Sequence, residues 1–232
     1  MATEVELKAW VRDVAAMRLL LDRICIFEYE YTKKDIYLHG PGGRPEESWA
    51  HWNGEPGVAA GADGTAAQMQ ESGAIPIPFH ARDFRLRIEE GGATCTFKDR
   101  RLDRGVEVNR EVEFSVSDAP AFLELARRIG CAVFSCKVKR GRRYRYERDA
   151  RYAERLPLVI EMSAIAGLGV FIEVECVVND PALREAAARE IRLFAANAGI
   201  GEDDIEPTPY AKLLSDRGVN QCSEIAELTG GW

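Results

Sequence analysis

Alternation of apolar and charged residues at period two recurs three times along the chain, and each time it gives way to a helical period after an aspartate. In "VELKAWV", Glu4, Glu6 and Lys8 face one way and Val5, Leu7, Ala9 and Val11 the other. Asp13 then precedes "VAAMRLLLDR", with Val14, Met17, Leu20, Leu21 and Ile24 on one stripe. In "REVEFSV", Glu111 and Glu113 oppose Val112, Phe114 and Val116, and Asp118 precedes a helical pattern with Phe122, Leu125 and Ile129 inward. In "GVFIEVECVVND", Glu173 and Glu175 lead to Asp180 and to "DPALREAAAREIRLFAANAG", with Pro181 at the first position. Period two predicts half-buried strands, and an aspartate before a 3.6-residue period predicts a helix N-cap.

Further strands are expected from "DFRLRIEE" and "ATCTFKDRR", joined by a turn at Gly91 and Gly92, and from "AVFSCKVKRGRRYRYER" and "LPLVIEMSAIAG". "ICIFEYEYTKKDIYLHG" reads as two short extended runs around "TKKD", and "DDIEPTPYAKLLSDRG" as one short helix. Residues of about 40 to 80 are rich in Gly, Pro and Ala without a sustained period, which predicts a long loop or insertion. Its "SWAHW" (Trp49, His51, Trp52) reads as an aromatic anchor for that insertion rather than a platform over a site. The whole chain, 1–232, is expected to be a single domain of α+β class that carries this insertion.

A lone E-x-E carries no weight. With 38 acidic residues in 232, roughly six such pairs arise by chance. The repeated strand, cap and helix context is what sets these three apart. Between them lie strands with basic faces: Arg85 with Arg87, Lys98, and Lys137 with Lys139. Two arrangements account for this: a sheet with a solvated face of mixed ion pairs, or a closed antiparallel barrel whose charged interior lines a hydrated tunnel.

Composition narrows the setting. A net charge of -7 argues against a general nucleic-acid binder, although "CKVKRGRRYRYER" concentrates positive charge locally. No apolar run reaches transmembrane length and the N-terminus lacks a signal-peptide pattern, so a cytoplasmic protein that does not enter a membrane is expected. The six cysteines (25, 95, 131, 136, 176 and 222) form no C-x-x-C pair and mostly sit in apolar runs, and they read as reduced small hydrophobes.

Taken in order, "EVELK", "DIYL", "FRLRI", "TFK", "REVEF", "KVK", "GLGVFIEVE" and "PYAKLL" resemble the CYTH superfamily, the triphosphate tunnel metalloenzymes, over nearly the whole chain outside the insertion. The superfamily includes class IV adenylyl cyclases, thiamine triphosphatases and inorganic tripolyphosphatases. The resemblance implies a closed eight-stranded antiparallel barrel with helices outside. It implies Mg²⁺ or Mn²⁺ held by Glu4, Glu6, Glu111, Glu113, Glu173 and Glu175, and a triphosphate clasped by Lys8, Arg85, Arg87, Lys98, Lys137 and Lys139. Oxygen-only ligands suit those cations, and arginine forks with lysine point charges suit phosphates. Two places depart from the family pattern. "KVKRGRRYRY" offers Lys139 where an Arg is usual, with Arg140, Arg142 or Arg143 as alternatives in a shifted register, and Ser163 takes the place of a usual Asp, with Glu161 two residues before it.

The implied function is a metal-dependent enzyme acting on a small-molecule triphosphate, with Lys8 as a candidate catalytic base. Hydrolysis of an inorganic or organic triphosphate and cyclisation of ATP both fit. A non-catalytic nucleotide or polyphosphate binding module is the alternative, and a charged interior disfavours a carrier of apolar ligands. Nothing in the helical patterns specifies an oligomeric state.

Overall fold

In a computed structural model describing residues 3–41, 83–103, 105–147 and 156–226, eight strands close into one antiparallel barrel. They are β1 (Thr3–Trp10), β2 (Ile26–His39), β3 (Phe84–Glu89), β4 (Gly92–Asp103), β5 (Val106–Val116), β6 (Ala132–Tyr146), β7 (Leu158–Ile165) and β8 (Gly169–Val178). The order around the barrel is β1-β5-β4-β3-β2-β6-β7-β8. The first strand therefore pairs with both β5 and β8, setting Glu4 opposite Asn109 on one side and Glu6 opposite Glu175 on the other. Most of the inserted segment, with Trp49, His51 and Trp52, lies outside the described residues.

The barrel is apolar outside and charged inside. Val5, Leu7, Ile160, Ile172 and Val174 point outward beneath helix α3 (Arg184–Asn197), which contributes Ala187, Ile191 and Phe194. Ile36, Leu38, Leu86 and Val138 point outward into a second cluster with Leu123 and Ala126 of α2 (Ala119–Arg128). Helix α1 (Val14–Ile24) adds Leu21 to the first cluster. A third cluster closes one end of the tunnel, where Phe171, Ile165 and Leu168 meet Tyr210 and Leu214 of α4 (Tyr210–Asp216). Since successive strand residues point to opposite faces, burying every second residue under helices turns the alternate, charged set toward the barrel axis.

All three aspartates cap as the sequence predicts. Asp13 accepts a hydrogen bond from the Ala16 amide, Asp118 from Ala121 and Asp180 from Ala182, each at 2.9 Å. The element that Asp180 caps is a 3-10 turn, Pro181–Leu183, from which α3 continues.

Four expectations change. The segment around "TKKD" is not a turn: β2 runs unbroken for 14 residues, its middle held by β6 on one side and its C-terminal part by β3 and β6 together. Helix α2 turns Leu123 and Ala126 to the barrel, with Ala119 and Phe122 packed beside them, and leaves Leu125 and Ile129 exposed. On α1 only Leu21 of the expected stripe is fully buried, and Val14 and Ile24 stay largely exposed. Cys136 and Cys222, expected to be reduced, form a disulfide: the turn Cys222–Ile225 folds back onto β6 and brings their Cα atoms to 4.9 Å, a separation that a bridge spans. The other four cysteines are free, and burial raises the Cys25 thiol to about 12 and those of Cys95 and Cys176 to about 11.

Candidate functional site

The tunnel holds a cavity of about 330 Å³, at the small end of the range for ligand pockets. All twelve side chains that the sequence singles out as the acidic and basic sets line it. Among the described residues the lining comprises eight acidic and eight basic side chains, and apart from Asp83, just before β3, the strand order groups the acidic ones. Glu4, Glu6, Glu111, Glu113, Glu161, Glu173 and Glu175 come from the adjacent strands β5, β1, β8 and β7, while Lys33, Arg85, Arg87, Lys137, Lys139 and Arg143 come from the opposite arc of β3, β2 and β6. Lys98 on β4 sits at the acidic side of the boundary, and Lys8 stands on the acidic arc itself.

On the acidic wall, carboxylate oxygens of Glu4, Glu6 and Glu175 lie within 4.8 Å of one another. Burial, and then the charge of Glu4, push the Glu175 carboxyl well above the usual range. Lys98 relieves part of the repulsion, with its ammonium 2.8 Å from Glu4, 3.2 Å from Glu6 and 3.1 Å from Glu111. Three convergent carboxylates with oxygen donors only, one of them resisting ionisation for lack of positive charge, fit a hard divalent cation such as Mg²⁺ or Mn²⁺. Glu113 sits at the exposed rim, accepting a hydrogen bond from Thr96 at 2.7 Å.

On the basic wall the cations are held in place by buried acids. Asp35, fully buried, receives a two-pronged bond from Arg87 at 2.7 and 2.9 Å and the Lys137 ammonium at 2.9 Å. Burial alone would raise its carboxyl, but Arg87 and Lys137 outweigh that and hold it well below the usual range. Glu161 plays the same part lower in the tunnel, accepting from Lys33 at 2.5 Å, Lys139 at 2.8 Å, Tyr31 at 2.9 Å and Arg143 at 3.3 Å. Burial and the nearby Arg87 and Lys139 lower Lys33, as expected when two ammonium groups share one carboxylate. Burial opposes the Lys139 charge too, yet Glu173 and Glu161 raise it well above its ordinary value.

Arg85 differs from these. It makes no ion pair with a described residue; its Nη2 donates to Thr96 at 3.3 Å, and its buried Nε has no hydrogen-bond partner. Lys8 donates to the Thr208 carbonyl oxygen and lies 4.3 Å from the centre of the Tyr210 ring. The Lys137 ammonium lies over the same ring, also at 4.3 Å.

The family-model match covers residues 79–210, as a CYTH domain. The chain belongs to the CYTH family. Its CYTH barrel superposes on the PH1819 protein of Pyrococcus horikoshii with a TM-score of 0.65 at 20% identity, over 92% of this chain and 99% of the other. A candidate adenylate cyclase from Vibrio parahaemolyticus gives 0.61 at 17% identity, covering 91% and 97%. HpAC1 of Hippeastrum, a candidate adenylyl cyclase described as having a dominant triphosphatase activity, gives 0.52 at 15%, covering 94% and 97%. These likenesses show the shared fold. No curated protein matches the chain significantly.

Among the choices left open by the CYTH pattern, the structure places Lys139 and Arg143 inside the tunnel and turns Arg140 outward with 60% of its side chain exposed. Gly141, at the inward position between them, lies against Tyr31, Met162 and Ser163, and a Cβ there would come within 2.8 Å of the Tyr31 hydroxyl. Glu161, not Ser163, is the β7 carboxylate in the tunnel. Lys33, Thr96 and Tyr210 are lining residues that the sequence reading missed. For Lys33 the signal was present: Lys33, Asp35 and Tyr37 alternate with Ile36 and Leu38, and reading "TKKD" as a turn concealed that parity.

Proposed function

We propose that this CYTH protein is a divalent-cation-dependent enzyme that hydrolyses a small-molecule triphosphate. The observation that carries this reading is the division of one tunnel cavity into an acidic wall with three convergent carboxylates and a facing basic wall. Glu4, Glu6 and Glu175 would hold the cation, with Glu111 and Glu173 adjoining. Mg²⁺ or Mn²⁺, when bound, supplies neutralisation of phosphoryl oxygens and acidification of water.

The chain's own residues do the rest. Arg85, Arg87, Lys137 and Lys139 take up the phosphate oxygens and align the terminal phosphorus for in-line attack. As the water oxygen bonds to that phosphorus, the bridging P–O bond breaks. The water's proton leaves toward the carboxylates, and the products are orthophosphate and the shortened phosphate chain. Lys8 suits an electrostatic role better than that of a base, since a carbonyl acceptor and an aromatic face both favour its ammonium form. Hydrolysis accords with the triphosphatase activity described for HpAC1, and the products separate it from cyclisation.

Purified protein incubated with ATP or tripolyphosphate and Mg²⁺ or Mn²⁺ should release orthophosphate, and chelation should stop the release. Cyclic AMP with pyrophosphate as the main products would replace hydrolysis by cyclisation. Absence of both turnover and binding with every triphosphate tried would overturn the proposal. Arg85→Ala provides a second check. Because no carboxylate of a described residue pairs with Arg85, its removal should cost triphosphate affinity on the order of tenfold, as expected for a charge-assisted bond, and leave the melting temperature nearly unchanged. In calorimetric titrations the loss should be smaller for a monophosphate, and equal losses would assign Arg85 a structural role.

A further inference from the structure

The chain after α3 reaches back to the closed end of the tunnel and sets one ring there. Ile205 pairs with Ala9, and the Glu206 amide donates to the Lys8 carbonyl oxygen at 2.8 Å. The Glu206 carboxylate accepts from the Trp10 indole at 3.2 Å and from the Thr208 amide at 2.9 Å. Pro209 follows in an extended conformation, and Tyr210 opens α4. Beyond that helix the chain is tied down again. The Gln221 side chain accepts from the Val138 amide and donates to the Ala166 carbonyl oxygen, both at 2.6 Å, and Cys222 is bonded to Cys136. Tyr210 is thus fixed from both sides.

Tyr210 is 6% exposed and lines the cavity. Phe171 backs its ring edge-on at 5.0 Å, and the ammonium groups of Lys8 and Lys137, from strands that β7 and β8 separate, each lie 4.3 Å from the ring centre. Cations are drawn to an aromatic face, so these contacts account for the ring. They do not account for the hydroxyl, which is buried and has no hydrogen-bond partner. A phenylalanine would make the same ring contacts without the cost of an unpaired buried group. Burial, and then the charge of Glu173, raise the phenol well above its ordinary value, so at neutral pH it keeps its proton and can donate. A buried donor without an acceptor, beside two ammonium groups, matches an anionic oxygen. Building on the triphosphate reading above, we propose that Tyr210 is a substrate-binding residue: its hydroxyl donates to a phosphoryl oxygen at the closed end of the tunnel, while its ring positions Lys8 and Lys137 on the same phosphate.

The test compares the wild type, Tyr210→Phe and Tyr210→Leu by melting curves without ligand and by calorimetric titration. The titrant is a nitrogen-bridged, non-hydrolysable analogue of tripolyphosphate in the presence of Mg²⁺. Tyr210→Phe keeps the ring and removes the oxygen. It should melt at the wild-type temperature or above, since an unpaired buried group is gone, and bind the analogue on the order of tenfold more weakly. Tyr210→Leu should melt lower, because Phe171 and both ammonium groups lose the ring, and bind more weakly still. An unchanged affinity in Tyr210→Phe would overturn the proposal. So would a lower melting temperature in that variant, which would assign the hydroxyl to holding the closed end together. In either case, binding of the analogue by the wild type leaves the triphosphate reading intact. No binding by the wild type would overturn both.

Discussion

Glu6→Gln should abolish turnover, by at least about a hundredfold if the cation contributes the several kcal/mol usual for such sites, while the barrel persists. The substitution keeps shape and polarity and removes one charge from the Glu4, Glu6 and Glu175 cluster. Lys98 loses one contact but retains Glu4 and Glu111, so no buried ammonium is stranded. Without metal, the cluster is under repulsion. Glu175 keeps a proton in the folded state that the unfolded chain has released above about pH 4.3, so this group makes the apo protein less stable as pH rises from there through its elevated folded pKa. With Gln at position 6 that decline should be shallower, and the apo melting temperature at neutral pH level or higher. The stabilisation gained on adding Mn²⁺ should shrink, because a weaker site yields less linkage energy. Melting curves of both proteins from pH 5 to 9, with and without Mn²⁺, check this. Identical metal-induced shifts would place the cation elsewhere.

Asp35→Ala should be the most destabilising change in the tunnel, at about 3–5 kcal/mol, because it strands two buried cations. Arg87 and Lys137 both lean on this carboxylate, which is wholly inaccessible to solvent. Its folded pKa is depressed, so its contribution is complete above about pH 3.9, where the unfolded carboxylate ionises, and is lost as pH falls from there through the folded value. Wild-type stability should therefore drop in the acid range below about pH 4, and the variant, already lacking the contribution, should show a smaller drop. Urea melts at neutral pH and at pH 3 measure both effects. A loss under about 1 kcal/mol at neutral pH would mean that water reaches the two cations and replaces Asp35.

What the sequence determined by itself was the set of inward and outward residues. Period-two alternation places Glu4 with Glu6 and Arg85 with Arg87 whatever the partner strands are, because adjacent Cβ atoms of a strand must face opposite ways. Local capping is equally self-contained: Asp13, Asp118 and Asp180 reach amides two or three residues away. The pattern failed where long-range pairing overrides local preference. "TKKD" carries turn-like polarity, yet ladders with β3 and β6 keep it extended, and Lys33 and Asp35 become buried tunnel residues because Arg87 and Lys137 on the flanking strands neutralise the aspartate and Glu161, one strand beyond β6, neutralises the lysine. The same holds for the Cys136–Cys222 bridge, which joins positions 86 residues apart, and for the faces of α1 and α2, whose rotation depends on the sheet beneath them. Closure of the barrel decided the rest. Only the pairing of β1 with β8 brings Glu4 and Glu6 within 4.8 Å of Glu175, at the far end of the sequence, and the slip in pairing between β2 and β6 turns Phe134 inward. Parity along a strand is fixed by bonds between neighbours, whereas convergence and register are fixed by contacts between strands, and these exist only once the sheet has closed.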